Sequence, residues 1–167
     1  MGRIEAICRS ERKGTPKQPV AHGTLQEGHG LVGDAHAGPW HRQISLLDSA
    51  DIAHMRDRGA TDLAPGAFGE NLVTSGLDLS ALGLGSRLQV GHCAEASITQ
   101  RGKVCHHRCA IFYQAGACIM PDRGLFARVV QGGDIYPGDP IAVVERIPPE
   151  TFQAVARRIA PEETAAP

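Results

Sequence analysis

Apolar residues fall along this chain in short bursts set between glycines and prolines, and only two stretches carry a helical period. Ile4–Cys8 predicts an opening strand, and the aperiodic Ser10–Val20 that follows, with Lys, Pro and Gly, predicts a loop. The short apolar run Gln43–Leu47 suits a buried strand. Asp48 or Ser49 can then cap a helix whose apolar side includes Ile52 and Met55, with Gly59 as its terminator. Asn71–Val73, Arg87–Val90, Ala96–Thr99 and Phe126–Val130 read as further strands, punctuated by Gly76, Gly85 and Gly91. The turn Pro137-Gly138-Asp139 leads into Ile141–Val144. After Pro148-Pro149, the spacing of Phe152, Val155, Ala156 and Ile159 predicts a closing helix over about 149–160, ended by Pro161. Many short strands and few helices predict a mainly β fold, barrel or sandwich, in one domain over 1–167.

Composition narrows the function. With 17 Lys and Arg against 18 Asp and Glu, the chain lacks the basic excess that electrostatic nucleic-acid binding requires. Met1–Glu5 opens no apolar segment of signal-peptide length, and no run approaches a membrane span, so a cytoplasmic protein is expected. Five cysteines in a reducing compartment then call for roles other than structural disulfides. Cys8 and Cys93 each sit among apolar neighbours and are expected to be buried and inert. Cys105, Cys109 and Cys118 lie close together in the sequence and are the exception.

Around Cys105, the string Arg101 to Cys109 holds two thiols, two imidazoles and three cations. Cations favour thiolate over thiol, so Arg101, Lys103 and Arg108 can make Cys105 a nucleophile or sulfur carrier at neutral pH. The alternatives are ordinary core thiols beside a basic turn, or a zinc site drawing on Cys109, Cys118 and His106. The intervals of three and eight residues between the thiols match no standard zinc finger. A second cluster, His29–Gly38 followed by His41 and Arg42, sets Asp34 two residues before His36. That pair can work as a carboxylate-oriented imidazole acting as acid or base, or can serve only the backbone of a glycine-rich turn. In the third, Pro65–Leu72, Glu70 and Asn71 stand at a strand entrance, placed either to meet a ligand or to hydrogen-bond the strand end.

In this order, Gly33-Asp34-Ala35-His36, Arg42–Asp48, Pro65–Leu72, Leu84–Gly91 and Cys105 resemble the successive motifs of the MOSC family, whose domains are similar to the C-terminal part of molybdenum cofactor sulfurase. The likeness runs from about Gly28 to Asp139 within a motif-bearing core of about 28–145. Gly102–Cys109, Gly116, Cys118 and Gly124–Val130 resemble the short stand-alone bacterial members. The resemblance implies a closed or partly open β-barrel with the family cysteine at Cys105. It also implies binding of a molybdopterin-type cofactor or a small thio-compound, with sulfur carried as a persulfide or released by carbon–sulfur cleavage. On that reading Cys105, His36 and Asp34 are the catalytic group, and Arg42, Glu70, Asn71 and Lys103 hold the cofactor. A non-catalytic cofactor-binding module and a zinc-stabilised binding domain are the other readings. Where many members have Pro before the cysteine, this chain has Val104, and no pyridoxal phosphate region is present, so a separate sulfur donor is implied as partner.

Overall fold

Alternation along the strands decides which side chains enter the barrel. The computed structural model describes residues 1–61, 63–104, 112–113, 116 and 118–149. In chain order these form β1 (Gly2–Arg9), β2 (Gln18–Val20), β3 (Gly23–Gln26), β4 (Gly30–Leu31), β5 (Ile44–Asp48), α1 (Ser49–Asp57), β6 (Leu72–Ser75), a 3₁₀ turn (Leu79–Ala81), β7 (Arg87–Val90), β8 (Ala94–Arg101), α2 (Met120–Arg123), β9 (Leu125–Gln131), β10 (Gly133–Ile135) and β11 (Pro140–Glu145).

The main sheet runs β11-β7-β8-β9-β5-β6-β1-β2, and β11 also pairs with β1. Seven strands therefore close into a barrel, with β2 an appendage on β1. Closure rests on Gly2 opposite Ile141 and Arg3 opposite Pro140. Register shifts in β1, β8 and β11 supply the local bends that curl a sheet into a closed ring. Among the described strands only β5 and β6 pair in parallel, which requires the crossover through α1. A small sheet, β10-β3-β4, covers another part of the surface.

Two apolar clusters share the barrel wall. Leu46, Leu72, Leu88, Ile98, Ala127 and Ile141 point inward. Their sequence neighbours Leu47, Val73 and Phe126 point outward, to pack with Ile52, Leu63, Phe68 and Met120 under α1 and α2. Neighbouring residues on opposite faces both meet apolar partners, which is why Ile44–Leu47 reads as an apolar run broken only by Ser45. Asp48 caps α1 by accepting from Ala50 N (2.8 Å), and Gly59, at φ 92°, follows its last turn. Met55 is partly buried against the outer cluster.

The predicted β-barrel is the observed fold, and the expected strands lie within or overlap β1, β5, β6, β7, β8, β9 and β11. Two differences are findings, and one expectation falls outside the described residues. The Ser10–Val20 stretch contains β2, which is held by three pairings with β1 that have no periodic signature. Cys93 is exposed rather than buried, because it sits in the turn between β7 and β8 while its neighbour Ala94 turns inward. The closing helix expected over 149–160 lies almost wholly outside the described residues. Among the described residues no helix is long and apolar enough to cross a membrane.

Candidate functional site

Beside the outer apolar cluster lies a cavity of about 350 Å³, within the size range of small-molecule sites. Its walls come from three parts of the chain that the sequence reading treated separately: the Lys13–Thr15 loop, the His36–Ser45 segment, and the Phe68–Asn71 loop, closed by Lys103, Cys118, Met120 and Phe126. A neighbouring surface groove along Arg9–Val20 has no aromatic wall.

The wall is basic and aromatic. Arg42 lies with its guanidinium carbon 4.6 Å from the Trp40 ring centroid and 5.7 Å from that of Phe126. Its Nε is buried and meets no hydrogen-bond acceptor among the described residues. Lys13 Nζ sits 5.9 Å from the same Trp40 ring. The indole is itself anchored, donating from Nε1 to the His36 carbonyl (2.7 Å). Two cations thus share one aromatic ring, with Lys103 also in the wall, and none of these three forms an ion pair with a carboxylate among the described residues. An unpaired guanidinium stacked on rings is an attractive surface for a planar or anionic ligand.

Behind His36 stands a buried ion pair that the sequence reading did not anticipate. Lys17, only 2% exposed, places Nζ 2.5 Å from Asp34 Oδ1 and 3.2 Å from His36 Nδ1. Asp34 also accepts from Ser10 N (3.0 Å) and from the His36 backbone N (3.1 Å), but its Oδ2 lies 3.8 Å from Nδ1. Asp34 therefore fixes the backbone and the lysine, and Lys17 is the group that touches the imidazole. Burial pushes the Asp34 carboxyl up, yet the hydrogen bond and charge of Lys17 and the two backbone donors outweigh it, leaving Asp34 below its ordinary value. Burial lowers Lys17, against the pull of Asp34. His36 is pushed down to about 4, first by burial and then by the Lys17 charge, with Lys103 and Lys13 adding to it. The imidazole is thus neutral at neutral pH.

Glu70 departs from its expected place in the ligand wall. It is wholly buried, and its carboxylate accepts from Gly66 N (2.6 Å) and Phe68 N (3.0 Å), closing the loop beneath the cavity. Burial raises its pKa, opposed by those backbone donors. The loop presses so closely on Lys17 that a Cβ at Gly66 (φ 90°) would stand 2.2 Å from the Lys17 carbonyl oxygen. Asn71 does line the cavity, but its amide is also committed to the frame: Oδ1 accepts from Ser45 N (3.0 Å) and Nδ2 donates to the Cys8 carbonyl (3.1 Å), tying β1 to β5. Cys8 is buried as expected, its thiol pushed up to about 12 by burial and then by Glu70.

The structure gathers His36, Arg42, Asn71, Lys103 and Cys118 at one cavity, with Asp34 and Glu70 behind its surface. Cys105, Cys109 and His106 lie outside the described residues. Among the described residues no group of three His, Cys, Asp or Glu side chains converges as a metal site. Lys103 precedes Cys105 by two positions, and Gly102, at φ 66°, approaches Pro121 so closely that a Cβ would lie 2.1 Å from its carbonyl oxygen. Of the residues that sequence reasoning missed, Trp40, Phe126 and Lys13 gave no local signal beyond their type. Lys17 offered a faint one, a single lysine between Pro16 and Pro19.

Solved structures resemble this fold. YiiM from Geobacillus stearothermophilus is 24% identical, with 87% of this chain and 76% of that one aligned at a TM-score of 0.67. The YuaD protein from Bacillus subtilis is 22% identical over 84% of this chain and 94% of its own, at 0.69. YiiM from Escherichia coli is 22% identical over 92% and 75%, at 0.64. A search of curated proteins gave no match. The family model of the MOSC domain matches residues 33–142, from the glycine before Asp34 to the middle of β11. With that match covering most of the chain, and the strands closed into a barrel, the protein belongs to the MOSC domain family.

Proposed function

We propose that this protein binds an anionic, ring-bearing small molecule of the molybdopterin type in the Trp40–Arg42–Phe126 cavity and handles sulfur on Cys105. The observation that carries the binding reading is Arg42: a guanidinium beside two aromatic rings, with a buried Nε that meets no acceptor among the described residues. A buried donor without a partner costs about 1–3 kcal/mol, which a ligand oxygen can return.

The cavity's residues fit such a cofactor. Arg42, Lys103 and Lys13 supply positive charge for its phosphate, and Trp40 and Phe126 supply flat apolar faces for its fused rings. When bound, the cofactor supplies a redox-active metal. The chain's own groups bind the anion, exclude water from the ring faces and, at His36, present a neutral imidazole. For sulfur handling, the Cys105 thiolate attacks the outer sulfur of a donor persulfide, R–S–SH. The Cys105 persulfide forms, the sulfur–sulfur bond of the donor breaks, and the donor leaves as its thiolate. Lys103, in the cavity wall two positions before Cys105, supports this reading of the cysteine.

Calorimetric titration with a pterin bearing a phosphate monoester, and with its dephosphorylated form, tests the binding. The phosphorylated form should bind more tightly, and Arg42→Ala should lose about tenfold or more of that affinity. Equal binding of both forms, or an Arg42→Ala protein that binds as wild type does, would sink the proposal. Intact mass after exposure to a persulfide donor tests the cysteine: one added sulfur on wild type and none on Cys105→Ser is expected. Equal addition to both rejects the carrier role.

A further inference from the structure

Lys17 is not part of the cavity wall, yet it determines what the wall presents. An ammonium carries only donors, so its 3.2 Å contact with His36 Nδ1 requires the lone pair of the imidazole on that nitrogen. The Nδ1 lone pair is the ring's only acceptor site when the ring is neutral, and Lys17 occupies it. The ring proton must then be on Nε2. Asp34 cannot reverse this choice, since its oxygens already hold Lys17, Ser10 N and His36 N, and its closest approach to the ring exceeds hydrogen-bond distance.

We infer that Lys17 is a positioning residue that locks His36 in its Nε2–H tautomer, so that His36 meets an anionic ligand as a fixed hydrogen-bond donor and not as a general base. The inference rests, for its ligand, on the anion-binding reading above; for the tautomer it rests on geometry alone. Of the charged groups described around the imidazole, the three lysines favour the neutral ring and Asp34 alone opposes them. Lys17 contacts it directly, Lys103 and Lys13 oppose a second positive charge on it, and Asp34 is already neutralised by Lys17. A neutral donor aimed at an anion complements the three cations of the wall without adding to their mutual repulsion. It also explains why a buried lysine, costly to desolvate, is kept beneath a site that it does not line.

The test is a two-bond nitrogen–proton correlation spectrum of protein labelled with ¹⁵N-histidine. In wild type, His36 should show a protonated, pyrrole-like Nε2 and a pyridine-like Nδ1, and should hold that pattern as pH is lowered from 6.5 toward about 4. In Lys17→Met the ring should become a mixture of tautomers and take up its second proton nearer the ordinary value of 6.5, and affinity for the phosphorylated pterin should fall about tenfold. A proton on Nδ1 in wild type, or a ring already doubly protonated near pH 6.5, overturns the inference. So does a Lys17→Met ring with unchanged tautomer and titration. If Lys17→Met does not fold, the wild-type spectrum alone decides. An Nε2–H ring in a protein that binds no phosphorylated pterin upholds the positioning role and rejects the ligand reading, which keeps the two failures apart.

Discussion

Inside the barrel, Leu46, Leu72, Leu88, Ile98 and Ile141 are fully buried and meet only one another and their like. On the far side of the same wall, Lys17, Asp34 and Glu70 are buried almost as completely, but they carry charge. The first region is stabilised by removing apolar surface from water, a force without direction that tolerates similar shapes. The second persists only because each charge has specific partners: Asp34 holds Lys17 at 2.5 Å, and Glu70 holds two loop amides. What the difference teaches is a division of labour. The barrel supplies rigidity, and the charged floor spends some of that stability to fix the orientation of one imidazole and one loop.

If the division is real, the two regions should respond differently to substitution. The largest effect is expected from Lys17→Met, which leaves Asp34 buried without its counter-charge and should cost about 3–5 kcal/mol in urea unfolding. A loss no larger than that of a surface change would remove the ion pair from the account. Leu88→Ala in the barrel should cost about 2–5 kcal/mol, with no change in how stability depends on pH. A pH-dependent loss there would mean that the regions are coupled.

The pH dependence itself sharpens the contrast. His36 has a folded pKa of about 4 against 6.5 when free, so the unfolded chain takes up this proton first as pH falls. Wild-type stability should decline from this cause between pH 6.5 and about 4. Glu70, whose pKa is raised by burial, acts in the opposite sense as pH falls, since the folded protein protonates first. The difference between wild type and His36→Gln isolates the imidazole: the variant should lose less melting temperature across that window, and identical curves would contradict the depressed pKa. The smallest effect is expected at Cys93→Ser. An exposed thiol in a turn should tolerate the change within about 0.5 kcal/mol in thermal unfolding.

Much of the barrel was legible because a strand announces which face it buries. Leu88 and Val90 alternate with exposed Arg87 and Gln89, and β7 was readable to the residue. The strands β2, β3, β4 and β10 were not, being two to four residues long, and β10 is held by β3 from far along the chain. At the site, His36, Arg42, Asn71 and Lys103 were legible by type and neighbourhood, and all four line one cavity. Glu70 and Asp34 were legible as chemically important but not in their roles, because a carboxylate beside a glycine-rich turn serves a ligand or a backbone amide equally well on paper. Lys17 was missed because a buried lysine has no periodic signature; its environment exists only once Asp34, His36 and the Gly66 loop close around it.

By itself, then, the sequence determined the alternating faces, the capped helix after β5 and the family motifs in their order, because these depend on residues near one another in the chain. Tertiary structure decided which carboxylates are spent on the frame, that Trp40 and Phe126 flank Arg42, and that Lys17 stands between Asp34 and His36. Those are contacts across the chain, and their energies come from burial and from the direction of single hydrogen bonds. No local pattern of residues carries either quantity.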